Sequence, residues 1–501
     1  MNQQLQVLGH PAALFVIFFT EMWERFSYYG MRGLLVIFLV STFDKGGWEW
    51  TTEKALGLYG TYTMAAYISP LIGGILADKW LGYRKAILIG SLFMTLGHAA
   101  MAFETEIALY CGLILLVIGN GFFKPNMTSI IGQLYERNPE KKDGAFAVFH
   151  MGINAGAFLG ILLCGYIGEQ ISWGLGFGLA GIFMLFGLIQ FYFTQGIFDN
   201  TGLRPSQEKV IKSEEISKKI VFDRLIVLFI ICLFNIFFFA AFEQAGGAMT
   251  IFAKDNIQRV LTGSKGIFFK YIDSGITVSS LLLITYVLYL LMKQTFKKYT
   301  IGNIILGVSF LIIWGIVIWK TNREFSSIET EVPASWFGVL NSLFIIFFAP
   351  LFSKLWESKY NFPAPFKFGL GFLLLGLGFG FLAYGALPIN ENNPMIKVSM
   401  IWLVLAYLFH TLGELCLYPV SLSYVTKLVP MKWMGIAFGI YLLSLAMGNK
   451  LAGTMGGLID KISAEYSLST FFLIFTIIPV ILGLMISALH PFIKNRMHGI
   501  E

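Results

Sequence analysis

The sequence predicts an all-α integral membrane protein, and three observations predict it. More than half of the 501 residues are hydrophobic (56%) and only 13% are charged, where soluble domains average about 25% charged. The apolar residues arrive in blocks of roughly 20, the length at which a helix rising 1.5 Å per residue crosses about 30 Å of hydrocarbon. Lys and Arg gather in alternate loops, so the net charge of +7 reads as membrane topology rather than affinity for nucleic acid. These grounds exclude soluble folds. The cysteines Cys111, Cys164, Cys232 and Cys416 fall inside apolar blocks without metal or disulfide spacing and read as small core residues. The residues before the first block lack the basic region and cleavage site of a secretory leader, which leaves that span in the mature protein.

Apolar blocks place spans near 12–40, 54–77, 85–102, 107–130, 144–168 and 172–195. A polar stretch from Asp199 to Asp223, with Arg204, Lys209, Lys212, Lys218 and Lys219, reads as a linker with a short amphipathic helix. Further spans fall near 224–252, 274–292, 301–319, 333–356, 367–387, 396–421, 434–457 and 469–490, about 14 in all. Six spans, a linker and a second bundle is the layout of the major facilitator fold, whose two six-helix bundles rock about a midplane site. Here it carries an extra two-helix insertion. The expected division is an N-terminal bundle over 1–197, a linker over 198–223, the first helix of the C-terminal bundle over 224–265, the inserted hairpin over 266–331, and the rest of that bundle over 332–501. Loops with Lys79, Arg84 and Lys85, with Arg137, Lys141 and Lys142, with Lys293, Lys297 and Lys298, with Lys354, Lys359 and Lys367, and with Lys427 and Lys432 all fall on the side of the N-terminus. The positive-inside rule makes that side the cytoplasm, with both termini in it.

The first span carries charges that hydrocarbon should reject. Its 14 Leu, Ile, Val and Phe residues favour insertion by about 0.3–0.6 kcal/mol each, roughly 4–8 in all. Glu21, Glu24, Arg25 and Arg32 each cost about 2.5–3.5 kcal/mol near the bilayer centre, which cancels that gain if they face lipid. They therefore pair with one another or line a wet cavity. Helical spacing allows both: Glu21, Arg25 and Tyr29 step by four, Arg32 follows Arg25 by seven, and Glu24 and Tyr28 lie beside that stripe. A purely structural lock between helices needs fewer charges than two carboxylates and two arginines.

Polar residues recur inside later spans. Lys124 lies in Gly119-Asn120-Gly121-Phe122-Phe123-Lys124-Pro125-Asn126, where Pro and Gly can interrupt a helix and free backbone groups toward a cavity. Asn154 stands in Gly152-Ile153-Asn154-Ala155-Gly156, a setting that suits a helix-packing hydrogen bond as well as a ligand contact. Glu243 follows a run of phenylalanines and Glu414 stands in Gly413-Glu414-Leu415; a lone intramembrane carboxylate is a functional candidate by default. Cations thus gather in the N-terminal half (Arg25, Arg32, Lys124) and single carboxylates in the C-terminal half (Glu243, Glu414). A cavity between such halves is dipolar and suits a zwitterion, with Tyr28, Tyr29 and Tyr67 as amphipathic walls. The carboxylates offer groups whose proton affinity burial and pairing can shift, which is how protons are coupled to transport.

At these residues the chain resembles the proton-dependent oligopeptide transporter family. The family's first-span motif E-x-x-E-R-F-x-Y-Y-G is complete from Glu21 to Gly30, and its G-x-G-x-x-K-P runs from Gly119 to Pro125. Its F-Y-x-x-I-N-x-G-S is matched by Phe149 to Ala157, its seventh core span by Phe242-Glu243-Gln244-Ala245-Gly246, and its tenth by Gly413-Glu414-Leu415. The resemblance implies a symporter that imports a proton with a di- or tripeptide across the cytoplasmic membrane. It implies no catalytic residues, no metal and no cofactor beyond the proton gradient, and a monomer in the lipid bilayer without a nucleic-acid partner. It assigns proton coupling to Glu21, Glu24, Arg25, Lys124 and Glu243. It assigns peptide contacts to Arg25, Tyr28, Tyr29, Arg32, Tyr67, Lys124, Asn154, Asn341, Glu414 and Tyr441. Asp78, in Gly74-Ile75-Leu76-Ala77-Asp78-Lys79, matches the superfamily's cytoplasmic loop and is expected to pair across the helices of its half as a conformational gate.

The chain departs from the family pattern at several positions. His150 stands for a usual Tyr, Ala157 for Ser, Tyr441 for a frequent Trp, and Ser342 follows Asn341 where Pro is common. Gly60 occupies the position of a histidine in mammalian relatives, which leaves carboxylates as the better proton carriers. The extra pair (274–292, 301–319) lies between the seventh and eighth core spans rather than between the sixth and seventh, and the sequence places no carboxylate inside either span; it reads as peripheral. Three rivals stay open: a carrier of another small anion or zwitterion, which does not need Glu414; a membrane enzyme, against which the scattered histidines argue; and a non-transporting sensor.

Overall fold

The computed structural model describes residues 5–136, 138–203, 218–359, 361–389, 396–429 and 433–499. Arg137 and Lys432 of the basic loops, and Arg204, Lys209 and Lys212 of the linker, lie outside them. Helices account for almost all the described structure. They are α1 (Ala12–Val40), α2 (Thr52–Leu76), α3 (Tyr83–Met101), α4 (Glu106–Leu134), α5 (Lys142–Gln170), α6 (Trp173–Thr194), α7 (Lys218–Phe242), α8 (Ala248–Asn256), α9 (Gly263–Thr295) and α10 (Thr300–Ser326). There follow α11 (Val339–Glu357), α12 (Ala364–Gly385), α13 (Ile401–Leu428), α14 (Met434–Gly456), α15 (Ile459–Glu465), α16 (Leu468–Ala488) and α17 (His490–Met497). Eleven spans among the described residues are long and apolar enough to cross a membrane, so the chain is a multi-pass membrane protein. The long helices α1, α2 and α3 fall short of that on composition, α1 because of the charges at its middle.

The expected span at 224–252 is in fact broken. α7 ends at Phe242, a 3-10 turn runs over Glu243–Gly246, and α8 resumes at Ala248. Gln244 holds the break: its Nε2 donates to the Ala240 carbonyl at 3.1 Å and to Ala452 of α14 at 2.9 Å. Tyr407 of α13 donates to the Ala245 carbonyl at 3.0 Å. Backbone groups freed by the turn thus find partners inside the protein, as hydrocarbon requires.

The chain divides into two compact units. The first comprises Met1–Phe38, Ser69–Gln207 and Arg259–Val339, that is, most of α1, the end of α2, α3 to α6, and the hairpin α9–α10. Its α1 lies on a glycine stripe of α5. A Cβ on Gly156 would stand 2.2 Å from the Met22 carbonyl oxygen and 2.9 Å from Arg25 Cβ, and one on Gly160 would stand 2.2 Å from the Phe26 carbonyl. Only residues without a side chain let the two backbones meet this closely. α10 packs on the same unit through Phe310, whose ring meets Phe19 at 5.7 Å and Trp23 at 5.6 Å. The hairpin is closed at its base by an antiparallel pairing of Val260–Leu261 with Thr330–Glu331.

Both hairpin helices outrun the apolar blocks that announce them. α9 begins at Gly263 rather than 274 and α10 ends at Ser326 rather than 319. The extensions enclose charge, which corrects the expectation of a pair without carboxylates: Asp273, Lys320 and Glu324 are buried in them. Cys111 is likewise exposed on α4, not a core residue; the other three cysteines are buried.

The second unit comprises Leu39–Ile68, Glu208–Gln258 and Leu340–Glu501. Here α2 crosses α14 at two glycines: a Cβ on Gly60 would lie 2.9 Å from Gly453 Cα, and one on Gly453 would lie 2.4 Å from the Leu56 carbonyl. An imidazole has no room at position 60, which gives a physical reason for the departure noted there.

Candidate functional site

In the first unit, α1 turns Glu21, Glu24 and Arg25 inward, each at most 4% exposed. Arg25 Nε donates to Glu21 Oε1 at 2.9 Å and lies 2.5 Å from Glu24 Oε2. One guanidinium therefore serves two carboxylates. Glu21 Oε2 and Glu24 Oε1 receive no hydrogen bond among the described residues, so the cluster holds acceptor capacity that a proton or a donor can use. The Arg25 guanidinium also sits 5.5 Å from the Tyr28 ring centre, and Tyr28 meets Tyr29 edge to face at 5.1 Å.

Lys124 is an electrostatic neighbour of Glu21, Glu24, Arg25 and Arg32. It is half-buried on α4, which runs unbroken through Pro125; the expected interruption is absent. Proline removes one helical donor and leaves the Gly121 carbonyl facing α2, where a Cβ on Gly73 would stand 2.1 Å from it. Asn154 donates to the carbonyl of His150 in its own helix at 3.0 Å. Arg32 and Tyr29 are half-buried on α1. Asp78 is exposed in a π-helical turn over Ala77–Leu81, and no ion pair joins it to another described residue.

In the second unit, Asn341 of α11 donates to Glu414 Oε2 and to Thr411 Oγ1 of α13, both at 3.1 Å. A carboxylate and an amide are thereby held together by one helix pair. Tyr441 is buried and its hydroxyl is 3.1 Å from Ser421 Oγ; Tyr67 is among its electrostatic neighbours. Glu243 is buried at the 3-10 break between α7 and α8. The predicted residues thus gather into a charged group on α1 and α4 in one unit, and an Asn341–Glu414 pair with tyrosines in the other.

Two polar assemblies in the first unit escaped the sequence reading. Lys320 pairs with Asp273 across the hairpin and with Glu324 one turn on at 2.9 Å, while Trp336 Nε1 donates to the free Asp273 oxygen at 2.8 Å. Glu169, at the end of α5, accepts from the Ala334 and Ser335 backbone N–H groups at 2.7 and 2.9 Å and from the Ser335 hydroxyl at 2.6 Å. The one sequence signal was the i, i+4 spacing of Lys320 and Glu324.

The chain matches the model of the POT family over residues 84–216 and 316–472. It is 33% identical to the uncharacterized transporter YclF of Bacillus subtilis (strain 168), over 98% of this chain and 96% of that relative. It is 30% identical to the peptide transporter YePEPT of Yersinia enterocolitica subsp. palearctica serotype O:3 (strain YE-P4), over 90% and 88% respectively. A crystal structure of peptide transporter POT in complex with sulfate is similar to it at a TM-score of 0.78, with 27% identity and coverage of 99% of this chain and 98% of that one.

Proposed function

This chain belongs to the POT family, and from that membership we propose that it is a proton-coupled symporter importing di- and tripeptides by alternating access. The name of the Yersinia relative and the solved peptide transporter support the substrate class. Proton coupling follows from the family. The single observation that carries the reading is the buried Glu21–Arg25–Glu24 cluster, two carboxylates on one guanidinium, with Lys124 as its electrostatic neighbour.

In this reading the fourteen helices of 19 residues or more among the described residues all cross the cytoplasmic membrane, with both termini in the cytoplasm and the chain acting as a monomer. The division into 1–197, 198–223, 224–265, 266–331 and 332–501 is kept as the functional one. Arg25, Arg32 or Lys124 meets the peptide carboxylate, and Glu414 with Asn341 meets the amine. Tyr28, Tyr29, Tyr67, Asn154 and Tyr441 supply the remaining contacts, and Asp78 acts at the cytoplasmic gate. Protonation of Glu21 or Glu24 removes one charge from the α1 cluster, and protonation of Glu243 removes the charge at the break between α7 and α8. That changes the relative free energy of the two orientations, which is all a coupled ion has to do. No covalent bond changes, in keeping with a transporter family rather than an enzyme.

The test is uptake of labelled dialanine into proteoliposomes under an inward proton gradient. Accumulation above equilibrium, abolished by a protonophore, is expected. Uptake indifferent to the gradient overturns the coupling, and no uptake of any di- or tripeptide overturns the substrate.

A further inference from the structure

We propose that Glu169 is a positioning residue of the transport cycle: it fixes the first turn of the helix that carries Asn341 and makes Gly338 the joint at which that helix bends. The inference rests on the reading of alternating access, in which two halves change orientation. The helix is one span over Ala334–Glu357, built in two parts. Ala334–Gly338 is wound as a 3-10 helix and Val339–Glu357 as α11. The first unit ends at Val339 and the second resumes at Leu340. The chain therefore passes between units inside a membrane helix, at the place where its winding changes.

Ahead of that passage the first unit holds the chain from three elements. Arg259 Nη1 donates to the Val332 carbonyl at 2.6 Å, and the Val332 N–H donates back to the Arg259 carbonyl at 3.0 Å. The Glu169 carboxylate accepts from the Ala334 and Ser335 N–H groups and from the Ser335 hydroxyl. Trp336 Nε1 donates to Asp273 of α9. The first N–H groups of a helix have no acceptor within it, so a carboxylate placed there is both cap and anchor. Gly165, one turn before Glu169 on α5, makes the room: a Cβ there would lie 2.2 Å from Ser335 Oγ.

Beyond the passage, Asn341 is held within the second unit by Thr411 and Glu414 of α13. Phe337, Gly338, Val339 and Leu340 lie between Trp336 and Asn341, so reorientation of one unit is taken up in those residues. Gly338 is the soft one among them, having no Cβ to restrict its backbone. Close packing does not account for it, since a Cβ there would meet Ile161 at an ordinary 3.6 Å. The Val339 N–H donates to the Trp336 carbonyl, a bond of the 3-10 kind, whose geometry is poorer than that of an α-helix and which within a helix often marks a hinge.

The full chain is tested by dialanine uptake in proteoliposomes, by its thermal midpoint and by backbone hydrogen exchange read by mass spectrometry. Amides over 337–341 should exchange faster than those over 342–349, and Glu169→Gln should speed exchange over 334–336. Gly338→Ala has room, so the thermal midpoint should hold or rise. Its maximal uptake rate should fall about two- to fivefold at constant KM, the factor by which alanine restricts a glycine backbone. In the Glu169→Gln background the same alanine should change nothing, because a first turn without its anchor moves with α11 and Gly338 no longer bends. An unchanged rate in Gly338→Ala overturns the proposal, as does an equal loss in both backgrounds. So does a thermal midpoint that falls in step with the rate, which marks a packing defect. Exchange over 337–341 no faster than over 342–349 overturns it whatever the substrate. Absence of uptake by the wild-type chain overturns the peptide reading instead, and exchange then decides the joint.

Discussion

The first unit holds two buried ionic clusters of the same stoichiometry and different construction. On α1, Arg25 serves Glu21 and Glu24; in the hairpin, Lys320 serves Asp273 and Glu324. The ion pairs of Arg25 with Glu21 and Glu24 lie within one helix, with Lys124 of α4 as their electrostatic neighbour, and one oxygen of each glutamate accepts no hydrogen bond from the described residues. The hairpin cluster bridges α9 and α10, and both Asp273 oxygens are used, one by Lys320 and one by Trp336. Equal charge counts therefore do not mean equal roles. A cluster whose guanidinium is shared within one helix and whose carboxylates keep acceptors open is poised to change its protonation and partners, whereas one that is largely satisfied and cross-links two helices holds structure.

Neutralising one member of each cluster is the strongest way to break the comparison. Glu24→Gln and Glu21→Gln are expected to lower gradient-driven dialanine uptake by tenfold or more, roughly 1.4 kcal/mol or above in driving terms. Exchange of labelled for unlabelled peptide without a gradient should persist. Asp273→Asn should leave both uptake and exchange intact. Loss of coupling in Asp273→Asn, with Glu21→Gln and Glu24→Gln both coupled, would invert the assignment.

Stability should separate the clusters the other way. Lys320→Met strands two carboxylates in a buried place, a change that costs about 3–5 kcal/mol, read as a fall in the unfolding midpoint in detergent. The double change Lys320→Met with Asp273→Leu should recover part of that loss, because an apolar pair needs no solvation. A third measurement concerns the second unit. Glu414→Gln removes the charge from the Asn341–Glu414 pair, and losing a charged hydrogen bond to the peptide amine costs about 1.5–3 kcal/mol, or roughly 10–100-fold in KM. Dialanine should show this rise and N-acetyl-dialanine, which has no ammonium group, should not.

The difference between the clusters also governs what could be read from the chain. Glu21, Glu24 and Arg25 were legible because each stands inside an unmistakable apolar block, where charge is conspicuous by its cost. Asp273 and Lys320 were not, because each lies one residue outside the block that marks its span, and a hydropathy boundary says nothing about how far a helix continues once neighbours can bury it. The break at Glu243–Gly246 was illegible for a related reason: its partners, Ala452 and Tyr407, are distant in sequence. Gly60 was noticed only as a missing histidine; its cause, the backbone of Gly453, is a tertiary contact. Asn341 and Glu414 were named separately, and only the fold shows them hydrogen-bonded.

The smallest expected effects come from the packing that supports each cluster, and they test whether rigidity differs between them. Behind the α1 cluster, a methyl group at Gly156 would meet the Met22 carbonyl at 2.2 Å, an atom that cannot move without the helix. Behind the hairpin, a methyl group at Gly302 would meet Thr194 Cγ2 at 2.4 Å, the end of a side chain that rotation can displace. Gly156→Ala should therefore cost about 1–3 kcal/mol through overpacking. Because the same methyl would lie 2.9 Å from Arg25 Cβ, it should lower uptake as well as the thermal midpoint. Gly302→Ala should cost less than Gly156→Ala and leave uptake unchanged, since relaxing Thr194 does not touch α1. If Gly302→Ala lowered uptake more than Gly156→Ala, the hairpin would be part of the transport cycle and the separation of the two clusters into a working one and a structural one would fail.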